Sequence, residues 1–298
     1  MAMRAILRWS GRILGGALVL VLLGAASAYG VSERRGHHKY DVPEHPLTVA
    51  SDAATIARGE HLATIRGCNE CHASDMAGKI MIDDKAIGRL VTTNLTNGRR
   101  GGALTDRDWE RAVRHGIRRD STPLNFMPSH EFTGLADDDL VAIVAWTRSL
   151  PAVADSLPET RIGPLGRALH TAGELVLYPA ERVKHAAAHP SRVVPTPDAQ
   201  YGRYVAAGCM GCHGATYSGG KISGGPPDWP PAGNLTPKGL AQYTEETFIA
   251  ALRLGKRPDG SSIGLPMDVK VTGAMTDVEL KATWAFLQTL PPKETGER

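Results

Sequence analysis

Two short stretches, Cys68-Asn69-Glu70-Cys71-His72 and Cys209-Met210-Gly211-Cys212-His213, hold all four cysteines of the chain. Both have the pattern C-x-x-C-H. A C-x-x-C pair alone occurs in redox dithiols and in zinc sites, so the histidine that follows each pair is the discriminating residue. A zinc ribbon needs its two pairs roughly 15–20 residues apart, whereas Cys71 and Cys209 stand in opposite halves of the chain. The spacing therefore indicates two separate copies of one kind of site.

C-x-x-C-H is the signature of covalent haem attachment. Both thiols form thioethers with the porphyrin vinyl groups, and the adjacent imidazole binds the iron. We therefore predict two covalently attached haem c groups, with structural zinc or disulfides as the alternatives. The residues assigned to the two groups are Cys68, Cys71 and His72 for the first and Cys209, Cys212 and His213 for the second.

The sixth iron ligand decides between electron transfer and catalysis. In the first half Met127 is well placed to reach the opposite haem face, and His130 is its rival. In the second half both Met267 and Met275 are candidates, and the internal repeat described below favours Met267, which occupies the position of Met127. Both favoured methionines stand beside a proline, which stiffens the backbone. We predict that Met127 and Met267 bind iron.

The two motifs belong to a longer internal repeat. Asn94-Leu95-Thr96 recurs as Asn234-Leu235-Thr236, and Leu150-Pro151 recurs at the same offset as Leu290-Pro291. Apolar residues at helical spacing predict a closing helix before each Leu-Pro pair. No stretch alternates convincingly as a strand, so the repeat predicts two similar all-α domains.

Residues typical of helix N-termini predict where the other helices begin. We expect a helix to lead into each haem motif, with Ser51 capping the first and Thr196 the second. Middle helices are predicted after the caps Thr105 and Thr244, over residues 106–117 and 245–254, and Thr276 with Glu279 forms a capping box for the last closing helix.

Three groups of polar residues allow competing interpretations. Asn94 and Asn234 either contact the haem edge or its axial loop, or serve their own backbone in a turn. Three connector histidines are expected to be solvated surface groups; these are His170, His185 and His189. A run of arginines is predicted to be mostly a solvated helix face, although it also suits haem propionates or an acidic partner. The run comprises Arg99, Arg100, Arg107, Arg111, Arg114, Arg118 and Arg119.

An uncharged apolar segment spans residues 13–31. At 1.5 Å per residue it would cover about 28 Å, close to the thickness of a bilayer core, which favours a retained anchor. Ala26-Ser27-Ala28 has the form of a signal cleavage site and leaves the alternative open. Basic residues flank both ends; they are Arg4, Arg8 and Arg12 before it and Arg34, Arg35 and Lys39 after it. Both interpretations place residues 40–298 across the membrane.

Charge patterning argues against a nucleic-acid partner. The formal net charge is +3, but residues 1–40 carry +5 and the remaining residues carry −2. The positive charge therefore lies beside the apolar segment rather than on a folded surface.

Over about residues 50–151 and 196–292 the chain resembles the tandem dihaem class I c-type cytochromes. The resemblance rests on both C-x-x-C-H motifs, the methionine spacing and the repeated closing helix. The Asn-Leu-Thr elements are similar to those in cytochrome c subunits of membrane-bound alcohol and aldehyde dehydrogenases, which commonly carry three haems. The resemblance implies an all-α haem fold, haem attachment outside the cytoplasm, and His/Met iron that cycles between ferrous and ferric.

The predicted organisation has four parts: a membrane anchor or signal peptide over 1–32, a first cytochrome c domain over 50–151, a connector over 152–195 and a second domain over 196–292. We expect a non-enzymatic carrier of single electrons in a membrane-associated respiratory or photosynthetic chain, between a membrane donor and a redox-protein acceptor. It would lie on the periplasmic side of the inner membrane, or be soluble in the periplasm after signal cleavage. The alternatives are an electron-accepting subunit of a dehydrogenase complex and a dihaem peroxidase, which the methionine pair disfavours.

Overall fold

The computed structural model describes residues 2–98, 103–154, 156–226 and 228–297, and helices dominate them. A π-helical turn, Arg111–His115, continues α4, and 3₁₀ turns occupy Pro179–Arg182 and Ala207–Cys209. The α-helices are α1 (Ala2–Gly36), α2 (Ala53–Ile65), α3 (Cys68–His72), α4 (Asp106–Glu110), α5 (Ser129–Phe132), α6 (Asp137–Ser149), α7 (Pro164–Thr171), α8 (Ala199–Ala206), α9 (Met210–His213), α10 (Glu245–Leu254), α11 (Val269–Gly273) and α12 (Asp277–Leu287).

Each half of the chain is built on one pair of packed helices, α2 on α6 and α8 on α12. Both pairs cross at a glycine. A Cβ on Gly59 would overlap the carbonyl oxygen of Ala142, and a Cβ on Gly202 would overlap that of Ala282, the repeat partner of Ala142. Because glycine has no side chain, the helices meet at backbone distance. The repeat in sequence is therefore also a repeat in packing.

The apolar cores surround these helix pairs. Leu140 in α6 and Leu280 in α12, which the repeat relates, are both fully buried. Tyr204 of the second half also packs against the first core, and Ile65 of the first half packs against the second core. The two halves thus share part of their apolar surface.

Two of the hydrogen bonds between the halves form a reciprocal pair. Nε2 of His61 in α2 lies 2.9 Å from Oε1 of Glu279 in α12, and the Tyr204 hydroxyl in α8 donates to Oδ2 of Asp139 in α6 at 2.5 Å. Asp139 and Glu279 are repeat partners. The closing helix of each half therefore presents a buried acid to the first helix of the other half, as in a pair related by two-fold symmetry.

Aspartates cap the two helices that lead to the motifs. Asp52 accepts a hydrogen bond from the backbone N–H of Thr55 at 3.0 Å, and Asp198 accepts two backbone N–H groups of α8. The expectation that Ser51 and Thr196 cap these helices is wrong, because the aspartates stand directly before the first helical residue. The other predicted caps are confirmed; they are Thr105, Thr244 and the Thr276–Glu279 capping box.

A small antiparallel sheet departs from the expectation that no segment forms a strand. Its strands are β1 (Ile80–Asp84), β2 (Gly88–Val91) and β3 (Arg161–Ile162). The Asp84 carboxylate accepts the N–H groups of Ala86 and Ile87, which closes the turn between β1 and β2. Because β1 is short and largely exposed, its side chains carry no clear alternation.

Helix α1 and the connector meet beside the first half. Among the described residues, one helix, Arg8–Gly36, is long and apolar enough to cross a membrane, with a mean hydropathy of 2.0 over an 18-residue window. Near its end, Glu33 accepts a salt bridge from Arg167 of α7 at 2.6 Å, and the same guanidinium lies 4.4 Å from the Tyr29 ring centroid. The connector thus packs against the base of α1.

Candidate haem-binding sites

Both motifs form short helical turns after the first helix of their half: the first motif is α3, and the second runs from the last residue of a 3₁₀ turn, Cys209, through α9. The four cysteines are all described and all free, so the disulfide alternative does not apply to this structure. Burial raises the pKa of the Cys68 thiol to about 12 and that of the Cys209 thiol to about 11. Reactive dithiols and zinc ligands need thiolates, whereas a thioether carries no charge. Cys68, Cys71 and Cys209 are partly buried and Cys212 is exposed, and the raised pKa values at Cys68 and Cys209 suit attachment as uncharged thioethers.

The two motif histidines are oriented in the same way. Nδ1 of His72 lies 2.8 Å from the carbonyl oxygen of Thr93, and Nδ1 of His213 lies 2.7 Å from that of Gly233. Since a carbonyl only accepts, Nδ1 carries the proton and the Nε2 lone pair is left for a metal. Burial also lowers the pKa of both histidines, which favours neutral imidazole.

The Asn-Leu-Thr elements hold these carbonyls in place, because Thr93 directly precedes Asn94 and Gly233 directly precedes Asn234. The Asn94 amide accepts the N–H of Thr96 at 2.9 Å and donates to the carbonyl of Val153 at 2.8 Å. Asn234 makes the same two contacts, with Thr236 and Lys293. Both asparagines thus act as turn residues, and they tie the histidine-orienting loop to the chain that follows each closing helix.

A cavity of about 520 Å³ lies beside the first motif. Its lining brings together Cys68, Cys71, His72 and Met127, although Met127 is distant from the motif in sequence. Met127 lines this cavity, whereas His130, the rival iron ligand, is not among the described residues that line it. The chemistry of this donor set, two thiols, an imidazole and a thioether, fits a covalently attached haem.

The other residues that line the cavity suit the apolar face and the carboxylate groups of a haem. Apolar walls come from Leu95, Leu104 and Phe132, and Arg118 supplies positive charge, while the Arg119 guanidinium in the same lining is paired with Asp108. Apolar walls fit a porphyrin face, and guanidinium groups fit carboxylates such as propionates.

The expectation that the arginine run is mostly a solvated face holds for Arg107 and Arg119, which are exposed, and fails for Arg111 and Arg114. Arg111 and Arg114 are buried, with 7% and 0% of their surface exposed, because the π-helical turn directs this part of the chain towards α5 and α6. The predicted members Arg99 and Arg100 lie outside the described residues.

The expectation of solvated connector histidines also fails for His170, which is 4% exposed and bonded to the Leu175 carbonyl.

The two candidate methionines of the second half occupy different surroundings. Met275 is a buried member of the second core. Met267 lies in the loop before α11 and is only partly buried against that core. A methionine fully used in core packing is unavailable to a cofactor, so the placement favours Met267.

Two charged residues that sequence reasoning missed lie between the motifs. Arg66 lines the first cavity and donates to the carbonyls of Tyr204 and Val205 in α8 at 3.3 and 3.2 Å. Glu131 also lines that cavity, and a Cβ on Gly211 of the second motif would lie 2.6 Å from its Oε1. Burial raises the pKa of Glu131 to about 7. The two motifs therefore face each other across the interface between the halves.

Comparison with known proteins divides the chain into the same halves. Residues 54–146 match the family described as cytochrome C oxidase, cbb3-type, subunit III, and residues 199–291 match the family described as cytochrome c.

Three curated relatives are similar over most of the chain. The alcohol dehydrogenase (quinone), cytochrome c subunit of Gluconobacter oxydans (strain 621H) is 26% identical over 275 residues, 83% of this chain and 57% of that protein. The fructose dehydrogenase cytochrome subunit of Gluconobacter japonicus is 24% identical, with 86% and 57% covered. The gluconate 2-dehydrogenase cytochrome c subunit of Pantoea cypripedii is 24% identical, with 82% and 61% covered. The chain spans about three fifths of the length of these relatives.

Proposed function

We propose that this chain, which carries two cytochrome c domains, passes single electrons between a membrane-bound donor and a redox-protein acceptor. The supporting observation is the repetition of the complete donor set. Each half has an attachment cysteine pair, a histidine held through Nδ1 by a loop carbonyl, and a methionine in register. An iron with both axial positions filled by protein has no open position for a substrate. The chain itself makes or breaks no substrate bond.

The assigned roles follow from the chemistry of the side chains. The cysteines would anchor the macrocycle, the histidines would bind iron through Nε2, and the methionines would supply the second protein ligand. A bound haem c supplies the iron that alternates between the ferrous and ferric states. The proposed sets are Cys68, Cys71, His72 and Met127 for residues 50–151, and Cys209, Cys212, His213 and Met267 for residues 196–292. Apart from the small sheet, we propose an all-α haem fold for both.

The position of Arg66 and Glu131 supports electron exchange within the chain. Both residues line the first cavity and contact residues in or just before the second motif. The two haems would therefore work as a short relay across the domain interface rather than as two independent carriers.

Helix α1 supports a location at the membrane. We propose that it is retained as a single anchor, with the haem domains on the periplasmic side of the inner membrane. The contacts of Tyr29 and Glu33 with Arg167 follow the Ala26-Ser27-Ala28 site, so they form with or without cleavage. Soluble periplasmic protein is the outcome if the segment is removed.

The names of the relatives favour one second candidate, the electron-accepting cytochrome subunit of a dehydrogenase complex. Affinity capture of this chain after gentle solubilisation of native membranes distinguishes the complex subunit from the independent carrier. Stable copurification of a large catalytic subunit would support the complex. Isolation of the cytochrome alone would support an independent carrier.

A peroxide assay on the purified dihaem protein tests the carrier against the third candidate, a dihaem peroxidase. With both methionines bound, the ferrous protein should reduce a one-electron acceptor rapidly and should not turn over hydrogen peroxide. Sustained peroxide-dependent oxidation of the ferrous protein would show an open iron site and contradict the proposal.

A further inference from the structure

Two histidines and one aspartate meet outside the haem sites, where three separate segments of the chain converge. His45 lies before α2, Asp137 is the first residue of α6, and His189 belongs to the connector. One ligand atom from each lies within 4.8 Å of those of the other two. We propose that His45, Asp137 and His189 bind one divalent transition-metal ion, for which Zn²⁺ is the probe.

The spacing suits a metal ion. Nε2 of His45 lies 3.1 Å from Oδ2 of Asp137, and Nδ1 of His189 lies 3.2 Å from Oδ1. Zinc bonds of about 2.0–2.2 Å at tetrahedral angles put neighbouring ligand atoms roughly 3.3 Å apart. Two imidazoles and a carboxylate suit zinc, copper, nickel or iron.

His189 provides a second, independent observation. Its Nδ1 is buried and has no hydrogen-bond partner of good geometry within the described part of the chain, although a carboxylate oxygen is 3.2 Å away. An unpaired buried nitrogen is costly. An ion placed between the imidazole and the carboxylate would satisfy it.

The surroundings fix the carboxylate without repelling a cation. The buried Arg114 donates to Oδ1 of Asp137 at 2.6 Å and to the carbonyl of Leu135 at 2.7 Å. Glu110, which is 2% exposed, lies 4.0 Å from the Arg114 guanidinium. The Asp137 carboxylate offsets the charge of Arg114, and Glu110 adds a second acidic group beside the guanidinium, so the divalent ion does not enter a positive field. Arg114 acts as the outer support that oriented metal ligands usually have.

The ion would have both an entry path and a structural consequence. The His45 side chain is 40% exposed, so it opens the cluster to solvent. The connector already reaches the start of α6, because the N–H groups of Asp137 and Asp138 donate to the carbonyls of Pro190 and Ser191 at 3.1 Å each. A bound ion would tie the connector and the segment before α2 to this helix start.

Calorimetric titration of the chelator-treated, full-length dihaem protein with Zn²⁺ tests the proposal. We expect one ion per chain, and at least about tenfold weaker binding in His189→Ala and in His45→Ala. His38→Ala is the matched control, because His38 is exposed on the same segment as His45 and lies outside the cluster. Zn²⁺ should also slow proteolysis at Lys184 and Arg192 in the wild type but not in His189→Ala.

As a check on folding, the haem absorption spectrum of each variant must match that of the wild type. If His189→Ala fails to fold, His45→Ala still tests the proposal, because it replaces a partly exposed side chain. Absence of stoichiometric zinc binding by the wild type would overturn the proposal. So would equal binding in wild type and both variants. Binding that survives His189→Ala but is lost in His185→Ala would place the ion on the neighbouring His115–His185 pair instead.

Discussion

The methionines are the single residues that determine what each iron can do. Replacing Met127 or Met267 with alanine should remove one thioether ligand while leaving the other haem site unchanged. In the ferric absorption spectrum, each substitution should remove about half of the methionine-to-iron charge-transfer band. Met275→Ala is the control, since that side chain packs in the core. A band unchanged by Met267→Ala would show that the assignment in the second half is wrong.

A side chain at Gly59 should destabilise the contact between α2 and α6. Gly59→Ala would force a Cβ into the carbonyl of Ala142, and overpacking of this kind costs about 1–3 kcal/mol. Gly134→Ala is the control in the same half, because no atom lies within 4 Å of its added Cβ. Urea denaturation followed by haem absorbance measures both. Equal stability of the two variants would contradict the packing described for α2 and α6.

At this scale the sequence predicted the residues that are defined by spacing. The cysteines and histidines are read from C-x-x-C-H, and the repeat distinguishes Met267 from Met275. Gly59 and Gly202 escape the same search because one lies nine residues before its cysteine and the other seven. Glu131 shows no pattern at all, since its importance comes from packing against a distant Gly211.

At the level of the helices, the stability that the contact between α2 and α12 contributes should depend on pH. The Glu279 hydrogen bond raises the pKa of His61. Burial alone would raise the pKa of Glu279, but its contacts with His61 and Thr276 outweigh burial and lower that pKa. A raised histidine pKa gives stability that is fully present below about 6.5. That stability is lost as pH rises through the folded-state value.

The unfolding free energy of wild type and His61→Gln should therefore differ more at pH 6 than at pH 9. Denaturant titrations at both pH values measure this difference, and His37→Gln is the control because His37 is exposed and lies outside the interface. A difference that stays constant with pH would show that the pair is not ionic.

Helix positions were easier to predict than their ends or the sheet. Glu245–Leu254 has the predicted bounds, because a threonine cap and a C-terminal glycine mark it. The helix predicted over 106–117 changes to a π-helical turn at Arg111, and side-chain periodicity does not report such a change. Strand β3 supplies only two residues from the connector, so its pairing depends on tertiary contact.

At the scale of the whole molecule, the apolar segment decides whether the carrier is tethered. A retained α1 would hold both haem domains near a membrane donor and raise their effective concentration there. N-terminal sequencing of the natively expressed protein should find the segment intact, and high salt should leave the protein on the membrane. A chain that begins at Tyr29 and is released by salt would contradict the anchor while leaving both haem sites in place.

The measurement that tests the central claim most directly is a coulometric reductive titration of the purified full-length protein, combined with haem analysis of the denatured chain. The predicted result is two haems that stay on the polypeptide after denaturation and two electrons taken up per chain, each in a one-electron step. One retained haem, or a two-electron step at a single site, would contradict the account of two single-electron sites.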